Sequence, residues 1–243
     1  MPIIKLDATD STNAYLKRLI ASNVSQDFTV VVAKNQLKGR GQMGTHWISE
    51  EGKNLTFSVL KENKDLSTDD SFLLNIIVSL ALVNGLRGLQ VPDLKIKWPN
   101  DILSGSSKIC GILIENIISG NKIKASIIGI GLNTNQTIFH NVPKASSLKL
   151  LLGKTFDLDE LLKALLNSLK ATFQNVQKTG IEKLWEVYSE NLFRKDKPST
   201  FEDSNGIKFM GFIRGISLEG KLIIALEDDI KKEFGFKEVT LLY

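Results

Sequence analysis

The sequence predicts an α+β protein: a mixed sheet flanked by helices, followed by a small all-β unit. Three observations carry that expectation. A valine-rich run at residues 28–34 reads as a buried strand and an alternating run at 54–61 as another strand. Leu158, Leu161, Leu162, Leu165, Leu166 and Leu169 recur at intervals of three and four, the spacing of a helix with one apolar face. Beyond Lys195-Asp196-Lys197-Pro198 the helical period is lost, and short strand-like runs alternate with the turn signals Asn205-Gly206 and Glu219-Gly220. The expected division is therefore residues 1–194, an α+β domain, and 195–243, a small β-barrel or sandwich.

Taken in order, residues 3–6 read as a short strand. Asp10 or Ser11 can cap a helix over residues 12–21, because a short oxygen side chain accepts from the exposed first-turn amides. The strand at 28–34 follows, then a polar, glycine-rich segment and the strand at 54–61. Asp69 and Asp70 precede an apolar helix ending near Leu86. Its polar interruptions at Asn75, Ser79 and Asn84 and its shortness argue for a buried helix rather than a bilayer span. A strand at 94–98 leads into loop chemistry at 100–107. Strands at 108–118 and 122–132 flank Ser119-Gly120-Asn121, a hairpin signal. Helices are expected at 157–178 and 180–192, and the last strands near 198–202, 207–216, 221–226 and 237–242.

The 243-residue chain is 42% hydrophobic and 24% charged, proportions of a folded globular protein rather than a disordered one. A net charge of +4 without a basic cluster gives no footprint for nucleic acid. The single cysteine, Cys110, excludes an internal disulfide and a thiolate metal site, and its apolar neighbours predict a buried thiol. The start of the chain has no signal-peptide pattern, so a cytoplasmic protein with no membrane association is expected.

Four short motifs carry chemistry. Gly39-Arg40-Gly41-Gln42-Met43-Gly44 satisfies the G-x-G-x-x-G pattern of dinucleotide folds, but Thr45 to Gly52 cannot make the helix such a loop opens. Its plain reading is a hairpin loop. Its chemistry nevertheless suits an anion: glycines let backbone amides approach a phosphate, Arg40 adds a fork of donors, Lys38 adds charge, and Trp47 offers a flat surface. Lys97-Trp98-Pro99-Asn100-Asp101 ends a strand, where proline stops the ladder and an amide and a carboxylate emerge together. Lys108 opens the strand that contains Gly111. Gly129-Ile130-Gly131-Leu132-Asn133 omits side chains where something flat would approach. Each alone has a bland reading as turn, surface or core.

Together and in this order, with Ser11-Thr12-Asn13 and Gln36 ahead of them, these motifs resemble the biotin–protein ligases over nearly the whole chain. The resemblance implies a class II synthetase-like catalytic domain and a C-terminal SH3-like barrel. It implies activation of biotin by ATP to biotinyl-5′-AMP, then transfer to a lysine of a biotin carboxyl carrier domain of a biotin-dependent carboxylase. By that resemblance Ser11, Thr12, Asn13, Gln36, Gly39, Arg40, Lys108, Gly111, Leu113 and Gly129 take the biotin. Arg40, Gly41, Gln42, Trp47, Lys97, Asn100 and Asn133 take the nucleotide, with Trp47 and Asn133 at the adenine. Arg40, Lys108 and Asp101 are the catalytic candidates, and Asn100 and Asp101 are candidate oxygen ligands for Mg²⁺. A homodimer is compatible with the resemblance, and no DNA partner is expected because the chain begins directly at the ligase-like part.

The chain departs from the family's commonest G-R-G-R loop. Gln42 replaces the second arginine, and Thr45 and His46 stand where a further basic residue is usual. A clamp with one arginine fewer is expected to retain the adenylate less tightly. A lipoate–protein ligase is the nearest rival, since it shares the fold and the adenylation chemistry.

Overall fold

The computed structural model describes residues 1–140 and 142–243. Its first part is a seven-stranded mixed sheet in the order β1-β2-β3-β7-β6-β5-β4. The strands are β1 (Ile3–Thr9), β2 (Val30–Gln36), β3 (Leu55–Ser67), β4 (Leu94–Lys97), β5 (Asp101–Ser104), β6 (Ser107–Ser119) and β7 (Lys122–Leu132). Only β1 and β2 run parallel, joined by α1 (Thr12–Ala21); every other pairing is antiparallel. The helices α2 (Phe72–Gly88), α3 (Leu148–Leu152), α4 (Leu158–Thr179) and α5 (Ile181–Glu190) complete this part. A second sheet, of five antiparallel strands, is ordered β11-β10-β9-β8-β12 and is consistent with an SH3-like barrel. Its strands are β8 (Pro198–Asp203), β9 (Lys208–Ile216), β10 (Leu222–Ala225), β11 (Lys231–Phe234) and β12 (Val239–Leu242).

Alternation along the strands decides where a ligand can sit, because successive side chains point to opposite faces. Val30, Phe57, Val59, Ile128 and Ile130 turn to one face, where they join the core built on α2 and α4. Twelve of the seventeen residues of α2 are buried, so this helix is apolar nearly all round and lies between the sheet and α4. Val31, Leu60, Ala125 and Ile127 turn the other way and pack a smaller cluster with Leu16 of α1. On that same face stand Ser58, Gly111, Leu113, Glu115, Gly129 and Gly131. Helix α1 packs mainly on β2, β3 and β7, which leaves much of the face open.

Three elements escaped the sequence reading. The segment 100–107 is not a loop, because β5 pairs with both β4 and β6. The others are β11 and α3. Each spans four or five residues, too few to express a period. The cap of α1 is Ser11, whose Oγ accepts from the Ala14 amide. Asp10 instead pairs with Arg18, and that guanidinium holds its carboxyl well below the usual carboxylate range. Cys110 is fully buried as expected, and burial pushes its thiol far above the usual range. Among the described residues no helix is long and apolar enough to cross a membrane.

Candidate active site

A cleft of about 420 Å³ lies on the open face of the large sheet and is closed on one side by residues of the second sheet. Its floor is made by missing side chains. A Cβ at Gly131 would lie 2.4 Å from the Trp47 indole, and one at Gly129 would lie 2.5 Å from Asn13 Oδ1. Gly111 pairs with Gly131 across β6 and β7, and Leu113 with Gly129.

The side chains lining one end of the cleft, Ser11, Thr12, Asn13 and Gln36, are polar and uncharged. Gln36 Oε1 accepts from the Thr12 amide at 2.8 Å and lies 3.1 Å from the Thr12 hydroxyl. The buried Ser58 hydroxyl reaches Thr12 Oγ1 at 2.7 Å and Asn13 Oδ1 at 2.6 Å. Asn13 Nδ2 donates to Glu115 Oε2 at 2.6 Å and to the Leu113 carbonyl at 3.4 Å. Asn13 is thus held from both ends of its amide, which fixes its orientation. Ser58 and Glu115 were not anticipated. The available signal was a polar residue on the ligand face of an otherwise apolar strand.

The other end is cationic. Lys108 Nζ lies 2.6 Å from Asp101 Oδ1, with side-chain exposures of 33% and 16%, so the pair is poorly screened by water. The Lys108 amine extends over Gly111 and stands 5.8 Å from the Trp47 ring centroid. Lys97 pairs with Asp101 across the β4–β5 hairpin, whose turn is Trp98-Pro99-Asn100. Burial pushes Lys97 below the usual lysine range; Lys108 and Lys144 add repulsion, and Asp101 opposes it. Asn100 Nδ2 donates to the Ile112 carbonyl at 2.7 Å, and the Asn100 carbonyl accepts from the Ile112 amide, so this turn is pinned to β6.

The glycine loop is a tight hairpin standing over the floor. Arg40 and His46 face each other as an antiparallel bridge, Gly41 donates to the Thr45 carbonyl, and Gln42–Gly44 makes a turn of 3₁₀ helix. A Cβ at Gly39 would lie 2.3 Å from the Trp47 carbonyl, which explains the glycine by packing.

Ser11, Thr12, Asn13, Gln36, Arg40, Gly41, Gln42, Trp47, Lys97, Asn100, Asp101, Lys108, Gly111, Leu113 and Gly129 all line the cleft. Two expected residues do not. Gly39 is buried within the hairpin, where its carbonyl accepts from the Trp47 amide. Asn133, expected at the adenine, is only 5% exposed, and its amide donates to the carbonyls of Ser146 and Lys108. It braces the segment beside Lys108 instead of reaching the ligand space. The wall from the second sheet, including Leu222, Phe236, Thr240 and Leu241, was also not anticipated. Trp98 joins that wall to the floor: its Nε1 donates to the Gly220 carbonyl at 2.9 Å and its ring lies 5.3 Å from that of Phe236.

Among the described residues no cluster of three or more His, Cys, Asp or Glu side chains can hold a metal ion. Asn100 and Asp101 offer oxygens, but one Asp101 oxygen is held by Lys108. This donor set fits an ion that arrives on phosphates, not a protein-caged one.

The model of the biotin/lipoate A/B protein ligase family matches residues 6–133. The bifunctional ligase/repressor BirA of Bacillus spizizenii is 31% identical over 237 residues, covering 95% of this chain and 71% of its own. The biotin–[acetyl-CoA-carboxylase] ligase of Paracoccus denitrificans is 35% identical over 130 residues, 53% of this chain and 52% of that protein. The structure of the biotin protein ligase from Aquifex aeolicus in complex with biotin and ATP superposes with a TM-score of 0.81 at 28% identity. That superposition covers 99% of this chain and 98% of that one.

Proposed function

This chain belongs to the biotin/lipoate A/B protein ligase family, and on that premise we propose that it is a biotin–protein ligase acting through a biotinyl-5′-AMP intermediate. The observation that carries the reading is a single cleft whose neutral polar end is joined to its cationic end by a floor of glycines. A ureido head group needs donors and acceptors without net charge, which Ser11, Thr12, Asn13 and Gln36 supply. A carboxylate and a triphosphate need their mutual repulsion offset, which Arg40, Lys97 and Lys108 do.

In the first step a biotin carboxylate oxygen attacks the α-phosphorus of ATP. The bond from that phosphorus to the β-phosphate oxygen breaks, and its electron pair leaves with pyrophosphate. On this reading Lys108, over Gly111, meets the carboxylate and the α-phosphate, and Arg40 lines the same cleft from the hairpin. Mg²⁺ on the phosphates would find Asn100 and Asp101 as its protein oxygens and would supply charge neutralisation there. In the second step the amine of a carrier lysine attacks the mixed anhydride carbonyl, and AMP leaves. The amine must lose a proton, and Asp101 is the carboxylate placed to orient it or accept that proton. The name of the Paracoccus relative points to the carrier of acetyl-CoA carboxylase as the class of partner. We take residues 195–243 to be a separate domain that completes the cleft.

The test is exchange of labelled pyrophosphate into ATP. Exchange that depends on biotin and not on lipoate is expected; dependence on lipoate, or on neither acid, would overturn the reading. Two variants examine the roles. Asp101→Asn should slow transfer from preformed adenylate by about 10²-fold, the usual worth of a positioned base; an unchanged transfer rate removes Asp101 from that role. Gln42→Arg adds a charge-assisted donor to the hairpin and should slow release of the adenylate by about tenfold. An unaltered dissociation rate in a stopped-flow chase would count against a one-arginine clamp.

A further inference from the structure

Hydrogens at the neutral end of the cleft are largely spent on the protein itself. Asn13, only 4% exposed, commits both hydrogens of Nδ2, one to Glu115 Oε2 at 2.6 Å and one to the Leu113 carbonyl at 3.4 Å. Its Oδ1 lies 2.6 Å from the Ser58 hydroxyl, which must therefore donate to it, and one lone pair of that oxygen remains. The Thr12 hydroxyl stands 2.7 Å from Ser58 Oγ and 3.1 Å from Gln36 Oε1, and spends its hydrogen on one of them. Gln36 Oε1 is taken by the Thr12 amide, which leaves Gln36 Nε2 as a donor. The Ser11 hydroxyl accepts from the Ala14 amide as the helix cap and has its own hydrogen to give.

The groups left for a ligand are two acceptors, Asn13 Oδ1 and Thr12 Oγ1, and two donors, Gln36 Nε2 and the Ser11 hydroxyl, all on residues that line the cleft. A cyclic urea is their complement, with two ring N–H groups to give and a carbonyl oxygen to receive. The sign of Asn13 in that pattern is not its own. A primary amide can turn end for end with little change of shape, exchanging acceptor for donor. Turned, Asn13 would set Oδ1 against the Glu115 carboxylate and the Leu113 carbonyl, neither of which has a hydrogen to offer. The Leu113 contact is long and goes to a neutral oxygen, so the short, charge-assisted bond to Glu115 dominates. Glu115 does not itself line the cleft.

We propose that Glu115 is a positioning residue for the head group: it holds Asn13 Nδ2 so that Oδ1 is offered to the ligand, and thereby selects a ring N–H over a ring acceptor at that point. The proposal rests on the ligase reading, since the biotin ureido ring is the group this pattern fits. Glu115 acts through Asn13 alone. Its effect falls on the binding of biotin and on the choice among ring systems, not on the attack at phosphorus, which is the work of the cationic end.

Calorimetric titration of the full chain with biotin, and with the cyclic carbamate analogues in which one or the other ring N–H is replaced by oxygen, tests this. Glu115→Ala frees the Asn13 amide to turn. It should raise the Kd for biotin about tenfold, while the rate of adenylate formation at saturating biotin stays within about twofold of the parent. The preference for biotin over at least one carbamate should narrow by about fivefold, because a turned amide can donate to the ring oxygen. Glu115→Gln still offers an oxygen to Asn13 Nδ2 and should bind biotin within about threefold of the parent. Asn13→Asp combined with Glu115→Gln reverses the direction of the bond yet keeps an acceptor for the ligand. That pair should recover most of the affinity that Asn13→Asp alone loses, and it is the deciding comparison if Glu115→Ala does not fold. The role is overturned if Glu115→Ala leaves the biotin Kd where it was, or if it weakens biotin and both carbamates by the same factor. It is equally overturned if the double variant binds no better than Asn13→Asp. Absence of biotin binding by the unmodified protein would strike the ligase reading itself, a distinct outcome.

Discussion

Replacing Lys108 with alanine is expected to lower the rate of biotin activation by about 10²–10³-fold, the usual loss when one preorganised charge-stabilising group is removed from a reacting centre. The size of the effect follows from where the amine sits. It lies over Gly111, where there is no side chain to hold a ligand away, and between the Trp47 ring and Asp101. Among the described residues no other cation takes that place: Lys97 faces it from the neighbouring hairpin and Arg40 stands on the loop above. Lys108→Arg keeps the charge but spreads it over a planar fork too large for the space above Gly111, so it should recover only part of the rate. Single-turnover formation of biotinyl-AMP measures this directly. A Lys108→Ala protein that forms adenylate within about threefold of the parent rate would show that the chemistry does not pass through this amine.

The second large effect concerns Trp98. Trp98→Ala should destabilise the protein by about 3 kcal/mol, near the lower end for loss of a packed aromatic ring. For a chain of this length that is a fall in Tm of about 6–12 °C. Trp98 lies at the turn between β4 and β5, yet its hydrogen bond goes to Gly220 and its ring packs on Phe236, both in the second sheet's part of the chain. Gly220 in turn rests on Phe72, where a Cβ would come within 2.1 Å of the ring. Removing the indole therefore loosens a wall of the cleft as well as a hydrophobic contact. Calorimetry together with limited proteolysis near residues 193–197 checks it. Trp98→Phe, which keeps an aromatic ring but loses the indole N–H, should fall by about 1 kcal/mol. Equal Tm values for the alanine variant and its parent would mean that the two sheets are held together elsewhere.

Much of this site was legible in the sequence, for reasons that differ from residue to residue. The glycines of β6 and β7 were readable because side chains omitted at alternate strand positions leave a strip of bare backbone. A ligand needs such a strip and a packed core does not, and the strand period then fixes its face. Ser11, Thr12 and Asn13 were readable as a helix start and line the cleft only because that helix begins at the strand edge. Asn133 was expected at the adenine because an amide ends a glycine-rich strand, whereas the structure gives its Nδ2 to the neighbouring carbonyls of Lys108 and Ser146. The partners of Trp98 were illegible for another reason. They lie far along the chain, and no local period reports such meetings. The short β5 was lost because Asn100, Asp101, Ser104 and Gly105 have the composition of a turn, and only pairing on both sides makes it a strand.

The Lys108–Asp101 pair has a bearing on timing. On the proposed roles Lys108 works with phosphate at the start and Asp101 also with an incoming amine at the end, and while they face each other one Asp101 oxygen is occupied. Phosphate drawing Lys108 toward itself is the event that releases Asp101. The carboxylate that would receive a proton from the carrier lysine is thereby kept out of use until there is an activated acyl group for that lysine to attack. A single 2.6 Å contact thereby couples the two proposed roles.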